Sequence, residues 1–448
     1  HRRGYGRKQS REVIMTYLPN ILFIAALATA IAVFAKKVGR IRQNIFLGKD
    51  TDRSDRPSDR LQNMLRVAFG QSKMQARPVA GVLHFIVYVS FLIINIEVLE
   101  IIVDGIFGTH RVFAPFLGSA YVPIISAFEV LAVLTVVAVL IFWWRRNVSK
   151  LDRFHKPEMK GWAFTDANNI LYIELVLMFA FLNMNALEAN FADAHHSFLI
   201  SQYIAPLWSG TSEWGLHFGE RLFWWVHILG IFAFLNYLPY SKHFHIILAF
   251  PNTYYANLEA KGRFENNAAV TKEVALMMDP SADPFAAPAP DADAPIERFG
   301  AKDANDLSWA NLLNAYTCTE CGRCTSECPA NLTGKKLSPR KIMMDTRDRI
   351  EEIGQNIAIN GSFLDDGKSL LGDYITNEEL WACTSCNACV QACPVDIDPL
   401  NIIMKLRNFA TMEESSAPGA LNAMMTNVEN NGAPWPFNQM DRANWINE

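Results

Sequence analysis

Cysteine is absent from most of this 448-residue chain: none lies before residue 318 or after residue 393. Disulfide crosslinks are therefore excluded for the first 317 residues. The sequence also lacks a Gly-rich turn after a strand and a P-loop, so we expect no flavin, NAD or ATP site. The 41 Lys and Arg residues are spread over loops, without a basic patch interleaved with aromatics, which argues against a nucleic-acid partner.

The eight cysteines form two runs of the pattern C-x₂-C-x₂-C-x₃-C-P, which begin 65 residues apart. This spacing is typical of proteins with two [4Fe–4S] clusters, in which the fourth cysteine of each run ligates the other cluster. The alternatives are zinc, which favours two pairs of ligands, and disulfides, which suit an oxidising compartment. The pattern predicts one ligand set of Cys318, Cys321, Cys324 and Cys393, and a second set of Cys383, Cys386, Cys389 and Cys328.

Long apolar runs dominate the first 250 residues, and half of the whole chain is hydrophobic. A transmembrane helix needs about 20 apolar residues. Five segments meet this requirement, and we expect a mainly α fold: a five-helix transmembrane bundle followed by a helical two-cluster ferredoxin domain. The predicted spans are approximately 17–36, 79–104, 121–144, 170–190 and 221–241.

The loops between the spans differ in charge. Loops 37–78 and 145–169 are rich in Lys and Arg, whereas loop 105–120 has only Arg111 and loop 191–220 has neither residue. The positive-inside rule then places the two basic loops, and the ferredoxin domain after the last span, in the cytoplasm. We therefore expect a multi-pass protein of the bacterial inner membrane, in contact with its lipid.

The basic residues 1–16 disagree with this topology, because the N-terminus would lie outside. Met15 is a more natural start, so we expect the first 14 residues to be an upstream mistranslation or a cloning remnant. A cleaved signal peptide is less favoured, since no small-residue cleavage site follows the first apolar run.

Three histidines have positions that suit haem binding. His227 and His245 lie 18 residues apart on a predicted continuous helix, so their rings point the same way, about 27 Å apart. His84 lies at the same cytoplasmic depth as His245, and the two are predicted to supply axial imidazoles to a haem b. His227 has no obvious partner for a second haem. The alternative is that these histidines are polar packing residues.

A partner for His227 could come from the outer loops, where the sequence leaves four histidines open: His110, His195, His196 and His217. Four carboxylates also lie at membrane depth, where ionisable groups are costly and usually face the bundle interior. They are candidates for proton exchange with a quinone, or else for hydrogen bonds between helices: Glu97, Glu100, Glu129 and Glu174.

The remainder of the chain divides by composition. A connecting segment, 251–299, contains a Pro/Ala/Asp-rich stretch that we expect to be a flexible tether. The cluster domain follows at 300–412, with helices predicted over 338–354 and 401–409. The tail, 413–448, lacks periodicity, and its Trp435 and Trp445 indicate either docking on a partner or packing on the chain itself.

These motifs resemble two known families. The stretch LWACTSCNACVQACPVDIDP resembles the helical ferredoxin domain found in the iron–sulfur subunits of heterodisulfide reductase, anaerobic glycerol-3-phosphate dehydrogenase and succinate dehydrogenase. The segment YLPYSKHFH, with His227 and His84, resembles the gamma subunit of respiratory nitrate reductase, a five-helix cytochrome b. That family's fourth haem histidine corresponds to Ile94 in this chain. The 17–250 domain is therefore expected to be cytochrome-b-like.

The combination is similar to membrane-bound Fe–S-binding proteins related to heterodisulfide reductase, in which a CCG domain commonly follows. This chain has no cysteine after Cys393, so the resemblance implies that a separate cytoplasmic partner, with a CCG domain or a flavin dehydrogenase, supplies that part. It implies a quinone-linked electron-transfer subunit without an organic-substrate site. The alternatives are a redox-coupled proton or ion translocator and a redox-sensing membrane anchor.

Overall fold

The computed structural model of the chain describes residues 2–191, 198–281 and 298–447. These residues are largely helical and contain no β-strand. The chain packs as two units. The first comprises His1–Arg42, Leu65–Phe250 and Thr319–Cys321, and the second comprises Gln43–Met64, Pro251–Cys318 and Gly322–Glu448.

The α-helices of the first unit are α1 Arg2–Ile45 (as far as Arg42), α3 Pro78–Phe107, α4 Ala114–Leu117, α5 Tyr121–Asn147, α6 Trp162–Glu188, α7 Ser201–Ile204, α8 Glu213–Tyr237 and the start of α9 His245–Tyr254. Short 3₁₀ turns join them at Ser72–Ala76, Gly118–Ala120, Asp152–Phe154, Pro157–Met159, Ala205–Trp208, Leu238–Tyr240 and Lys242–Phe244. A π-helical turn covers Leu65–Phe69.

Five segments of the described residues are long and apolar enough to cross a membrane, which confirms the mainly α fold and the five expected spans. Most of the span ends lie beyond the predicted limits because polar residues there still continue the backbone hydrogen bonding, whereas the fourth and fifth spans end at Glu188 and Tyr240, just before the predicted 190 and 241. The spans are Tyr17–Ile45, Pro78–Phe107, Ala114–Asn147, Trp162–Glu188 and Glu213–Tyr240.

The core of the first unit is apolar and aromatic. Phe23 of α1 contacts Trp224 and Phe232 of α8, with ring centroids 5.6 and 5.8 Å apart. A Cβ on Gly105 would lie 2.6 Å from the Phe23 ring, so glycine is required where α1 approaches α3. Many large apolar side chains also point outward from the spans, as helices facing lipid require.

The second unit contains the remaining α-helices: α2 Pro57–Met64, α10 Ala268–Met278, α11 Trp309–Thr317, α12 Arg323–Ser326, α13 Pro329–Leu332, α14 Pro339–Asn360, α15 Asn377–Trp381, α16 Ala388–Ala392, α17 Pro399–Met412 and α18 Gly419–Asn431. It also has 3₁₀ turns at Ala304–Asp306 and Gln439–Ile446 and a π-helical turn at Leu370–Tyr374.

Local signals define the long helix α14. The hydroxyl of Ser338 accepts a hydrogen bond from the N–H of Lys341, and Pro339 occupies the first helical position. Gly361 ends the helix in the left-handed conformation, at φ 81°. The predicted helix over 338–354 is therefore present and continues to Asn360.

The core of the second unit forms where α14 packs against α11 and α17. Leu312, Ile342 and Ile402 are fully buried there. Gln43–Met64, from the end of the first span onward, is part of this unit, and there the N–H of Lys49 donates to the carbonyl of Leu307 over 2.8 Å. Residues before the second span therefore contribute to the unit that carries most of the cysteines.

The tail is more regular than its sequence indicates, because α18 and a 3₁₀ turn form within it. Trp445 remains 73% exposed and Trp435 49% exposed, so neither indole is buried against the chain. The expected tether cannot be compared with the structure, because residues 282–297 lie outside the described part.

Candidate functional site

The two cysteine runs adopt the same backbone turn. The residue before the second cysteine has positive φ in both runs, at 53° for Glu320 and 57° for Ser385. The residue after that cysteine is also left-handed, at 71° for Gly322 and 60° for Asn387. Three of these four residues are not glycine, and such strained conformations persist in loops when a bound group requires them.

Each run then enters a short helix and ends on an extended cysteine before proline. Cys328 has φ −77° and ψ 116°, and Cys393 has φ −68° and ψ 126°. A residue before proline disfavours the helical region, so the Cys-Pro dipeptide turns the chain away from the preceding helix. This geometry separates the fourth cysteine from the other three of its own run.

All eight cysteines lie in the described part of the chain, and none of them forms a disulfide. Backbone N–H groups point at two of the sulfurs: Ser385 N–H donates to Cys383 Sγ over 3.4 Å, and Ile397 N–H donates to Cys393 Sγ over 3.3 Å. Burial raises the pKa of the Cys383 and Cys389 thiols. A metal deprotonates a coordinating thiol, so buried sulfurs with N–H donors fit cluster ligands.

The structure brings together the cysteines of the predicted second set. Helix α12 packs against α16, and Cys328 lies within electrostatic range of Cys383 and Cys389. Cys386, the exposed member of the set, likewise lies within range of Cys383. The fourth cysteine of the first run therefore lies near Cys383 and Cys389 of the second run, and the full ligand set stays a prediction.

The cysteines of the other predicted set are divided between the packing units. Cys318, Cys324 and Cys393 belong to the second unit, and Cys321 belongs to the Thr319–Cys321 segment of the first. In the part of the chain that the structure describes, no three His, Cys, Asp or Glu side chains surround the position of a single metal ion.

His84 and His245 face each other within the first unit. Their ring centroids are 6.4 Å apart, and the ring planes are tilted by 40°. Two metal–imidazole bonds of about 2 Å, added to the two ring radii, place such centroids about 6 Å apart. The pair therefore has the separation that bis-imidazole ligation of one iron requires.

Hydrogen bonding selects the nitrogen of His245 that can bind metal. Its Nδ1 lies 3.0 Å from the carbonyl oxygen of Lys242, so Nδ1–H donates and Nε2 is the remaining ring nitrogen. Burial lowers the pKa of His245, and it lowers the pKa of His243 to about 3. Both rings are therefore neutral, which is the form that coordinates a metal.

His243 belongs to the same cluster, and sequence-based reasoning missed it. Its ring lies 5.5 Å from that of His245 and 5.4 Å from that of Phe234. The H-x-H spacing of 243 and 245 is the signal that could have identified it. We treat His243 as a neighbour of the His84–His245 pair.

The expected continuous helix through His227 and His245 is wrong. Helix α8 ends at Tyr237, two 3₁₀ turns follow, and a new helix begins at His245. Pro239 removes a backbone N–H, and Ser241 is extended at φ −114° and ψ 151° between the two turns. The five-turn periodicity therefore does not set the ring direction of His245.

His227 is buried on α8, and like His245 it holds its Nδ1 against a backbone carbonyl, which leaves Nε2 as the remaining ring nitrogen. Its Nδ1 lies 3.0 Å from the carbonyl oxygen of Leu177, and its ring packs against Phe181 at 5.9 Å. Two outer histidines are engaged elsewhere: His110 contacts Glu188 at 3.0 Å, and the His217 ring packs on Phe191. His195 and His196 lie outside the described residues.

Two of the four membrane carboxylates make hydrogen bonds to other segments of the bundle. Glu100 accepts from the Tyr121 hydroxyl over 2.8 Å, and Glu129 accepts from the Asn185 amide over 3.1 Å. Glu97 differs, since its Oε2 is buried without a hydrogen-bond partner among the described residues. Glu174 is half-buried.

A buried ion pair at the opposite end of the bundle from His84 was also missed. Arg111, which the sequence places in a loop, is buried and pairs with Glu188. It also donates to the Tyr121 hydroxyl over 3.0 Å and to the Asn185 side-chain oxygen over 2.9 Å. A lone arginine in an otherwise non-basic loop is the sequence signal for such a pair.

Residues 317–397 match the family described as a 4Fe-4S dicluster domain. The probable iron–sulfur-binding oxidoreductase FadF of Bacillus subtilis is 27% identical over 96% of this chain and 61% of its own length. The EtfAB:quinone oxidoreductase of Syntrophomonas wolfei is 25% identical over 88% of this chain and 55% of its own length. The chain thus spans a little over half of the length of each of these two relatives.

A probable membrane-anchored ferredoxin of Chromohalobacter salexigens is 32% identical over 35% of this chain and 25% of its own length. The cluster region also matches iron–sulfur subunits of CoB–CoM heterodisulfide reductases. No solved structure matches the chain significantly. The chain is thus a membrane protein with a 4Fe-4S dicluster domain, related to iron–sulfur oxidoreductases, membrane-anchored ferredoxins and the iron–sulfur subunits of heterodisulfide reductase.

Proposed function

We propose that this protein is a membrane electron-transfer subunit that connects a redox partner with the quinone pool through two [4Fe–4S] clusters and one haem b. The observation that carries the proposal is the 6.4 Å separation of the His84 and His245 rings in the membrane unit of a chain with two cluster motifs. Iron–sulfur clusters and haem supply one-electron conduction when bound.

The chain's own residues hold and orient these groups. The carbonyl of Lys242 fixes the ring of His245, and Ser385 and Ile397 donate N–H groups to the Sγ atoms of Cys383 and Cys393. A second haem at His227 is not part of the proposal, because Ile94 stands where the resembling cytochrome b family has its fourth haem histidine. The proposed ligands are Cys318, Cys321, Cys324 and Cys393 for one cluster, Cys328, Cys383, Cys386 and Cys389 for the other, and His84 and His245 for the haem.

The name EtfAB:quinone oxidoreductase supports both ends of the proposed path. It agrees with a protein redox partner on one side and a quinone on the other, and the partner that we propose carries a CCG domain or is a flavin dehydrogenase. The resemblance of the five spans to the nitrate reductase gamma subunit agrees with a cytochrome b. The basic loops 37–78 and 145–169 favour a cytoplasmic second unit.

A difference spectrum of the full chain in detergent tests the proposal. We expect a haem b α-band on dithionite reduction, about one haem and eight iron atoms in clusters per chain, and loss of the band in His84→Ala. A menaquinol analogue should reduce the clusters of the wild-type protein. Iron near eight without any haem would refute the cytochrome part, and absence of quinol-driven reduction would refute the quinone link.

Redox-coupled proton translocation is a second candidate, because Glu97 is buried with an unpaired carboxyl oxygen among the described residues. An unpaired charge at membrane depth is costly, so such groups often exchange protons. Glu97→Gln separates the two candidates in proteoliposomes. A simple conduit keeps its quinol-driven cluster reduction and moves no protons in either form, whereas a translocator loses proton movement in the variant.

A further inference from the structure

Helix α17 carries one negative and one positive charge beside the proposed second cluster. Asp398 precedes the helix and lies within electrostatic range of Cys389. Arg407, about two and a half turns along the same helix, lies within electrostatic range of Cys383. Both cysteines belong to the proposed set of Cys328, Cys383, Cys386 and Cys389.

The guanidinium of Arg407 is fixed by hydrogen bonds to the loop that carries Cys383. Its Nη2 donates to the carbonyl of Cys383 over 2.6 Å and to that of Leu380 over 2.9 Å. Its Nη1 donates to the hydroxyl of Ser385 over 3.3 Å, and its central carbon lies 4.9 Å from the Trp381 ring centroid. The positive charge is therefore held in one place and is partly shielded from water.

Asp398 is held just as firmly. It caps α17, with Oδ1 accepting the N–H of Asn401 over 2.9 Å. Its own N–H donates to Asn314 Oδ1 over 2.7 Å. Asparagine is an equally good cap, so Asp398→Asn removes the charge and keeps the helix start.

Reduction adds one negative charge to an iron–sulfur cluster, and fixed charges nearby shift its potential through Coulomb interaction. We propose that α17 sets the reduction potential of the second cluster, with Arg407 raising it and Asp398 lowering it. Arg407 and Asp398 are positioning and tuning residues, since neither supplies a ligand atom. The inference rests on the ligand set of the proposed function.

A merely structural role for Arg407 makes a different prediction. Without the guanidinium, three oxygen acceptors of the Cys383 loop lose their donor, so the loop would loosen whatever the sign of the charge. Opposite shifts from the two charge-removing variants are expected only from electrostatics. Lys405, on the same helix and paired with Glu265 at 3.4 Å, offers a matched control for loss of a positive charge.

The experiment is an EPR-monitored redox titration of the full chain in detergent. The Cys386→Ser variant first shows which reduction step in the titration belongs to the second cluster, because that step should change when its exposed ligand, Cys386, is replaced. Arg407→Met should lower the equilibrium constant for reduction of that cluster at least tenfold, which is a fall of ~59 mV in the midpoint potential for one electron. Arg407→Lys should give less than half of that shift, and Asp398→Asn should shift the same wave upward. Lys405→Met should change the reduction equilibrium constant of each cluster by less than threefold.

Several results would overturn the inference: shifts of the same sign in Arg407→Met and Asp398→Asn, equal shifts of both clusters, or an effect of Lys405→Met as large as that of Arg407→Met. If Arg407→Met does not retain its second cluster, Arg407→Lys and Asp398→Asn decide, and a midpoint that does not rise in Asp398→Asn refutes the idea. Unchanged waves in Cys386→Ser would refute the ligand set itself, on which the inference depends.

Discussion

Three imidazoles lie close together where the last span ends, and they are not equivalent. His84 and His245 face each other, whereas His243 packs edge-on against His245, with an interplanar angle of 81°, and also contacts Phe234. A metal between two rings needs both nitrogens aimed at it, and the His84–His245 pair has the required separation. The third ring then lies at the side of the proposed haem site.

This geometry predicts which single substitutions remove haem. His245→Ala should reduce bound haem to less than about a tenth of the wild-type amount, because one of two axial bonds is lost. His243→Ala is the matched control and should keep at least half. Pyridine haemochrome quantification on purified protein measures both. Haem loss in His243→Ala with retention in His245→Ala would reverse the ligand assignment.

A second residue-scale prediction concerns Arg349, which is fully buried in the second unit. Its guanidinium pairs with Asp303 at 2.7 Å and with Asp366 at 2.6 Å. Removal of one partner of a buried pair typically costs about 3–5 kcal/mol. Arg349→Met should therefore clearly lower the midpoint temperature at which the second unit unfolds. Loss of the cluster absorbance on heating measures this temperature.

Lys336→Met provides the comparison, since its pair with Glu378 is on the surface, with side chains 68% and 61% exposed. Surface pairs contribute about 0–1 kcal/mol, so little change is expected. Equal effects of the two variants would show that Arg349 is not a structural centre of this unit.

At the scale of elements, the break between α8 and α9 positions the proposed haem ligand. Asp166 of α6 holds this break: its Oδ1 accepts the Tyr237 hydroxyl over 2.6 Å, and its Oδ2 accepts the N–H of Lys242 over 3.1 Å. Ser241 adds a cap, with its hydroxyl accepting the N–H of His243 over 3.0 Å. The turn is thus tied to a neighbouring span.

Asp166→Ala should loosen this turn and displace His245. Loss of two hydrogen bonds costs about 1–3 kcal/mol in total, which corresponds to about 5- to 150-fold weaker haem retention. Haem per chain should fall while iron per chain in clusters stays the same. Asp152→Ala, at a side chain 83% exposed, is the control. Retained haem with lost cluster iron in Asp166→Ala would contradict this role.

Some of these elements can be predicted from the sequence, and others cannot. Hydropathy predicts the five spans, because each is long enough by composition alone, and cysteine spacing predicts the dicluster domain. The break after Tyr237 was not predicted, because Pro239 and Ser241 act together with Asp166 from another span. The burial of Arg111 also depends on packing that local periodicity does not contain.

For the whole molecule, the orientation in the membrane is a prediction from the charges of the loops. Arg111 is the one Lys or Arg of loop 105–120, and its charge is neutralised by Glu188. The loop therefore presents no free positive charge, whereas loops 37–78 and 145–169 each carry several basic residues. The positive-inside rule counts Lys and Arg, so these loops predict a cytoplasmic side for 37–78 and 145–169 whether or not Arg111 is paired.

Reporter fusions in bacterial cells test this orientation. Alkaline phosphatase is active only outside the cytoplasm, so it should be active when fused after Ala120 and inactive when fused after Leu151 or Asn447. Green fluorescent protein should give the reverse pattern. An active phosphatase after Asn447 would place the cysteine runs outside, where a cytoplasmic flavin-type or CCG-type partner has no access to them. The Arg111→Ala chain should keep the wild-type pattern, because it removes a positive charge from a loop that is predicted to lie outside and so increases the Lys/Arg bias.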